Sequence, residues 1–492
     1  VKIALVIPAW APTEIFPSRT AASQINYWQP IGTLSVAASL RAAGHEVRFL
    51  NGAFLRREEI LAGLADFAPR IVGLYSTAFG WHKARAAAAD VRRTLPGAFT
   101  IVGGPYPMYA GAACLREEPL LDAVALGEGE DAMVELAARL AAGEDPAGVA
   151  GIAFRRGGEV IENAPRPSIE DLDRLPFPAR DLLGDAAAYL PPPATYRRTP
   201  VAVMITSRGC NRGCIFCFQP WRAHGRALRL RSVDNVVAEI RHLVAEGYRE
   251  IKFLDDTLAA DRERALEIAR RIRAEKIDIA WFASACVHQV DPELLAAFRA
   301  AGCWAVLFGA ESGVQKNLDA LRKGITLEQT RRAVRAAKAA GLAVHTPFIF
   351  GIPGETYAEG LETIRFACEL DPDIASFHAL TPFPGSELWE RRHELGTASD
   401  DLAAYTYQGA AFVPHSMTRD EIQRLRQAAY REFYSRPRYL LRRTLAIRSA
   451  HEVAAAWRGA RSLVWLWTKR GVFSRDAAGP WGGKRRQGSK HS

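Results

Sequence analysis

Long apolar runs are missing from this chain. No stretch of 18 apolar residues occurs in its 492 positions, so no helix is expected to span a membrane. The apolar segment 2–8 is too short for the h-region of a secretion signal, which makes a cytoplasmic protein the expectation. Cysteine is scarce: there are seven, and only Cys114 precedes residue 200. An odd, clustered set reads as metal ligation in a reducing compartment, not as a disulfide framework. Excess charge is absent from most of the chain. From 436 to 492 there are 14 Lys and Arg against two acids, whereas the other 435 residues carry 50 basic and 52 acidic side chains. The net charge of +10 belongs to a tail, so a basic pI alone does not indicate nucleic acid, and no RNA-binding module accompanies it. Repeats at solenoid periods are also absent.

What is present is a rhythm of short apolar runs and amphipathic segments. Over 1–145, strand patterns at 2–8, 46–50, 71–76, 100–102 and 123–126 alternate with helical patterns at 31–43, 82–94 and 131–142. That order predicts a doubly wound parallel sheet, with ligands beyond the carboxyl ends of its strands. Those ends carry Ser76-Thr77, Gly103-Gly104 and Gly127-Glu-Gly-Glu130, small residues that let a large ligand approach the backbone. Residues 146–200 read as a hairpin around Gly157-Gly158 followed by a proline-rich linker. Over 201–390 six strand–helix repeats predict a barrel or part of one. The Cys210 loop, Asp255-Asp256, Glu311 and the 351–355 turn fall at strand ends, where barrel chemistry belongs. Residues 391–478 are expected to be helical, and 479–492 to be a disordered basic tail.

Cys210-Asn-Arg-Gly-Cys214-Ile-Phe-Cys217 is a CxxxCxxC loop. Three thiolates on one short loop suit three irons of a 4Fe–4S cluster, leaving a fourth iron open. A structural zinc site is the alternative, but zinc prefers four protein ligands, and no fourth cysteine lies nearby; His224 is seven residues beyond Cys217. With Phe216 before its last cysteine, the loop resembles the signature of the radical S-adenosylmethionine (SAM) superfamily. Phe253-Leu-Asp-Asp256, Gly309-Ala-Glu-Ser-Gly313, Phe350-Gly-Ile-Pro-Gly-Glu355 and Thr381-Pro-Phe-Pro-Gly-Ser386 resemble the family's further strand-end motifs, in order. The resemblance implies that Cys210, Cys214 and Cys217 hold the cluster, and that SAM lies against Phe216, Asp255, Asp256, Ser284, Glu311, Ser312, Gly351 and Gly354. Reductive cleavage of SAM would then yield a radical. An aspartate pair can also serve only as a helix cap, and a Gly-rich segment only as a turn. Where many relatives carry an arginine ahead of the helix-opening aspartate, here Asp291, this chain has Cys286, which becomes a candidate catalytic, substrate-facing residue or else a small buried hydrophobe.

The first 145 residues resemble the cobalamin-binding domain that precedes many radical SAM domains. Trp28-Gln-Pro-Ile-Gly32, 73–77, Val102-Gly-Gly104 and 126–130 carry the likeness. It implies that Pro30, Gly32, Ser76, Thr77, Gly103, Gly104, Gly127, Glu128 and Gly129 contact cobalamin. The Asp-x-His-x-x-Gly motif for a lower histidine ligand is absent, which implies cobalt without a protein imidazole. The fold class that follows is α/β: a Rossmann-like cobalamin-binding domain, a partial (β/α)6 radical SAM barrel and a helical C-terminal region. Such a chain is expected to be a B12-dependent methyltransferase acting on an unactivated carbon of a small, apolar intermediate, with ferredoxin or flavodoxin as electron donor. An oxidative cyclase like that of bacteriochlorophyll synthesis and a non-catalytic corrinoid sensor are the alternatives. Methylthiotransferases are set aside, since their extra N-terminal cluster cysteines are missing. In 436–470, leucines and tryptophans including Leu440, Leu441, Leu445, Trp457, Trp465 and Trp467 interleave with nine Lys and Arg and one acid. This segment either packs on the barrel or makes peripheral contact with an anionic membrane.

Overall fold

The computed structural model describes residues 1–11, 27–192, 195–218, 228–405 and 410–445. His224, Trp457, Trp465, Trp467 and the tail expected over 479–492 lie outside the described residues. The first sheet contains β1 (Lys2–Ile7), β2 (Glu46–Asn51), β3 (Ile71–Tyr75), β4 (Phe99–Gly103), β5 (Ala123–Ala125), β6 (Ile152–Arg156) and β7 (Glu159–Glu162), in spatial order β2-β1-β3-β4-β5-β6-β7. Strands β1 to β5 pair in parallel. Alternate residues of β1 enter different cores: Ala4 and Val6 pack with Leu64, Trp81 and Val102, whereas Ile3 and Leu5 pack with Leu40, Met133 and Leu136. Burial on both faces explains why the strands read as continuous apolar runs. The hairpin β6–β7, expected within the connector, instead adds antiparallel to β5 and extends this sheet. Strand order reverses between β1 and β3, the switch point where doubly wound sheets bind ligands.

The second sheet is formed by β8 (Val201–Met204), β11 (Glu250–Phe253), β12 (Ala280–Ala285), β13 (Cys303–Phe308), β14 (Ala343–Phe350) and β15 (Ile374–Ala379), all parallel and in the order β15-β14-β13-β12-β11-β8. A two-residue ribbon, β9 (Ser207–Arg208) with β10 (Arg229–Leu230), flanks the cysteine loop. The crossover helices start where Ser232, Asp261, Asp291, Thr326 and Thr356 accept the backbone N–H three residues on. The amino end of the barrel is plugged. Glu250 accepts from the backbone of Arg197 and Arg198 and from the Trp304 indole at 2.9 Å, and Lys252 lies 3.8 Å over the Phe282 ring. Burial in that plug pushes the Lys252 ammonium down to about 7.

Six strands do not close, and both edges are satisfied by side chains. On the β8 edge, Gln29 accepts from Val203 N at 3.0 Å and donates to Val201 O at 3.3 Å. On the β15 edge, the helix Arg419–Tyr434 presents Tyr434, whose hydroxyl accepts from Ala375 N and donates to Ala375 O at 2.7 Å, and Tyr430, which accepts from Phe377 N. These contacts answer edge groups that would otherwise template foreign strands. The region after 390 is mainly helical but includes an antiparallel pair, β16 (Gly396–Ala398) with β17 (Phe412–Pro414). Among the described residues no helix is long and apolar enough to cross a membrane.

Candidate functional site

The cysteine loop leaves β9 at Cys210 and is tied down from both sides. Ile215 N donates to Leu321 O, Leu388 N donates to Ile215 O at 2.8 Å, and Arg212 donates to Lys323 O and Gly324 O. A hydrogen bond from Cys217, with Lys323 nearby, draws the Cys214 thiol down, while burial pushes Cys210 up. Among the described residues no three His, Cys, Asp or Glu side chains are arranged to hold one metal ion. A cluster makes a different demand, because each cysteine takes its own iron. Three thiols on one loop, flanked by Arg212 and the half-buried Lys323, suit an anionic cluster.

The strand-end residues divide by what they touch. Asp256 lines the interdomain cavity, and burial beside Asp255 pushes its carboxyl up to about 6. Asp255, expected against SAM, is not among the residues that line the cavity. It is 3% exposed, and one oxygen accepts from Thr206 N at 3.0 Å, Thr206 Oγ1 at 2.8 Å and the Ser207 hydroxyl, which ties β8 to β11. It is equally not the solvated cap that the sequence alone allows. Ser312, expected against SAM, is fully buried: its hydroxyl meets Thr363 Oγ1 at 3.1 Å and accepts from Val314 N. It braces the turn and does not present a polar group to a ligand. Glu311 adopts φ +58°, pairs with Lys323 at 2.6 Å and bridges to β14. Lys323 also sits 5.7 Å over the Phe216 ring. Ser284 lies on the inner face of β12, since Ala283 packs outward into the helix-side core. At 351–355, Glu355 accepts from Gly351 N at 2.7 Å and from Ile352 N, and around Gly354 an added Cβ would meet nothing within 4 Å. Cys286 follows β12 near Cys210, Cys214, Arg212 and Lys323, and is not among the residues that line the interdomain cavity.

The cavity lies between the carboxyl ends of both sheets and measures about 1370 Å³. Ordinary small-molecule pockets hold roughly 300–1,000 Å³. Pro30, Gly32, Ser76, Thr77, Gly103, Gly104, Gly127, Glu128 and Gly129 all line it, together with Asp256 and Cys217. At Gly32 and Gly127 a Cβ would find no atom within 4 Å, so those positions open onto free space that a large ligand can fill. Gly104 differs: with φ +110° its Cβ would stand 2.6 Å from Ser76 O, so the glycine serves the chain's own turn. Glu128 lines the cavity while its carboxylate is held by the chain itself. Its carboxylate pairs with Arg208 and Arg229, both at 2.8 Å, and accepts from Ile169 N at 2.7 Å. Burial raises its pKa, yet Arg229 and Arg208 more than offset that and hold it below the usual range. Glu128 therefore joins the rim loop to the barrel through its paired carboxylate.

Two residues that sequence reasoning missed act between the domains. Arg208, two positions before Cys210, bridges Glu128 and Glu130, the latter also accepting from Ser35 at 2.8 Å. Gln29, inside the Trp28–Gly32 motif, also donates to the Tyr248 hydroxyl. The alternating acids of 127–130 with an arginine beside the cysteines were the available signal for Arg208. Nothing local marks Gln29.

Fold and site define a two-domain α/β enzyme with a three-cysteine cluster loop facing a small-residue cofactor rim. Residues 204–367 match the family model of the Radical SAM superfamily, and residues 20–137 match that of the B12 binding domain. The chain is 34% identical over 90% of its length to an uncharacterized methyltransferase from Pyrococcus horikoshii, of which it covers 94%. It is 29% identical to the anaerobic magnesium-protoporphyrin IX monomethyl ester cyclase of Rubrivivax gelatinosus, over 84% of this chain and 75% of that one. The cobalamin-dependent SAM radical enzyme OxsB shares the fold at a TM-score of 0.72 and 17% identity, over 94% of this chain and 70% of that one. The chain belongs to the cobalamin-dependent radical SAM enzymes.

Proposed function

We propose that the chain methylates a carbon of a small, largely apolar molecule in the interdomain cavity. Cys210, Cys214 and Cys217 hold the 4Fe–4S cluster. Asp256, Glu311 with Lys323, and the turn at Gly351 and Gly354 hold SAM, with Phe216 and Ser284 beside it. Pro30, Gly32, Ser76, Thr77, Gly103, Gly127 and Gly129 seat cobalamin at the β1/β3 switch point. Bound together, these groups supply hydrogen-atom abstraction and a transferable methyl. The chain's own part is orientation and exclusion of water: Arg208 and Gln29 hold the two strand-end faces opposite each other, and the barrel plug closes the far side. The observation that carries this reading is the single cavity shared by the nine rim residues, Asp256 and Cys217. The higher identity to a methyltransferase over nearly its whole length favours methyl transfer over cyclisation.

Reconstituted protein, hydroxocobalamin, reductant and methyl-deuterated SAM, incubated with candidate substrates, should place the deuterated methyl on a product carbon. Product that has lost hydrogens and carries no label would instead indicate the cyclase reading, and SAM left intact would point to a sensor. The same reading takes a reduced ferredoxin or flavodoxin as donor and the cytoplasm as its compartment. Peripheral lipid contact through the basic tail is tested by salt-dependent sedimentation with anionic vesicles, comparing the full chain with one ending at Tyr434. Equal sedimentation removes that role.

A further inference from the structure

On the barrel side the cavity is walled by Ile205, Cys217, Phe218, Leu254, Asp256 and His378. Leu254, at the end of β11, is 40% exposed, a large apolar side chain that the protein leaves uncovered. The same cavity wall also carries an imidazole, that of His378. On β15, Phe377 and Ala379 pack outward into the helix-side core, so His378 turns inward. Most charged groups around the rim are already committed: Glu128, Glu130, Arg208 and Arg229 to one another, Arg231 to Glu239 and Arg166 to Glu135. No hydrogen bond joins a ring nitrogen of His378 to a described residue. Burial and the buried Arg426 guanidinium behind it push the ring down to about 4. It is therefore neutral near pH 7, with one N–H to donate and one nitrogen to accept.

We infer that His378 is the hydrogen-bonding contact of the substrate subsite, and that the substrate is an apolar molecule carrying one uncharged hydroxyl or N–H group, seated against Ile205, Phe218 and Leu254. This rests on the proposed function only in taking the barrel side of the cavity as the substrate's place. A ligand lacking the polar group leaves the imidazole unpaired on losing water, and that penalty separates it from its hydroxylated analogue. An anionic ligand loses its hydration against three apolar side chains and meets the Asp256 carboxyl in the same wall.

The test uses protein loaded with cluster and hydroxocobalamin, and two probes of like shape, 1-naphthol and naphthalene, measured by equilibrium dialysis. The parent should bind 1-naphthol about tenfold more tightly, the ratio expected of one well-made hydrogen bond. His378→Phe should bind both probes alike while keeping the parent's affinity for naphthalene, and His378→Gln should recover part of the preference. A ratio unchanged in His378→Phe, equal binding of the probes by the parent, or no binding of 1-naphthol up to its solubility would overturn the inference. Iron content and the cobalamin spectrum check that each variant is loaded. Cleavage of SAM by the parent is assayed separately: its failure would count against the proposed function, whereas the probe ratio needs only the cavity.

Discussion

Replacing Arg208 by alanine removes a guanidinium from between two carboxylates, and the two losses are unequal. Glu128 keeps Arg229 at 2.8 Å and Ile169 N at 2.7 Å, so it remains neutralised. Glu130, whose side chain is 4% exposed, keeps only the Ser35 hydroxyl. A buried charge stripped of its partner costs about 3 kcal/mol. Glu130 opens the helix Gly129–Ala141 directly after the rim loop, so relief of that charge means moving the loop away from the barrel. Where the rim must return to this geometry to seat cobalamin, about 3 kcal/mol corresponds to roughly a hundredfold weaker binding. The assay is a hydroxocobalamin titration followed by absorbance, on parent, Arg208→Ala and Arg208→Ala/Glu130→Gln. The double variant, which keeps an acceptor for Ser35 without the charge, should regain most of the loss. If Arg208→Ala binds within threefold of the parent, the ion pair does not set the rim. If the double variant is no better than the single, the stranded charge is not the cause.

Three further outcomes are expected. Cys214→Ala should abolish reductive SAM cleavage and lower bound iron, and retention of cleavage would refute the cluster assignment. Gly127→Leu should fold and lose hydroxocobalamin affinity, because its side chain enters open cavity. Gly104→Ala, by contrast, should lose soluble protein, because its Cβ meets Ser76 O at 2.6 Å; equal behaviour of the two variants would contradict that distinction. Desolvation pushes Glu355 up to about 7. An acid with a raised folded pKa destabilises the fold once ionised: the cost is absent below its unfolded pKa, near 4.5, and complete above about 7. Glu355→Gln should therefore gain stability relative to the parent between pH 5 and pH 8 in urea melts, and a pH-independent difference would rule this out.

The strand–helix rhythm makes both sheets legible in the sequence, because parallel strands buried on two faces must be continuous apolar runs. The same logic marks strand ends, and the structure gathers the small residues at those ends around one cavity. Which member of a motif faces that cavity is not legible. Asp255 and Asp256 are adjacent and chemically alike, yet their side chains diverge at the end of β11, one to knit β8 and the other to the cavity. Ser312 and Glu128 carry polar groups at motif positions, but those groups are consumed by Thr363 and by two arginines, partners 50 or more positions away in sequence. The hairpin 152–162 reads as a hairpin, but its pairing to β5 is a non-local event that no local pattern records.

The docking of the two domains follows from hydrogen-bond accounting on an open barrel. A six-strand sheet has an unpaired β8 edge, and Gln29 fills it with an amide that mimics a neighbouring backbone. Undocking would expose Val201 O, Val203 N and the Tyr248 hydroxyl together with the Arg208 carboxylate bridge. At about 1 kcal/mol net for each neutral hydrogen bond, with more for the charged pair, separation is disfavoured by several kcal/mol before apolar contacts are counted. The first domain is thus part of how the barrel completes its own edge. Beside that edge contact, the bridge from Arg208 to Glu128 and Glu130 ties the rim at 127–130 to the strand that leads into the Cys210 loop.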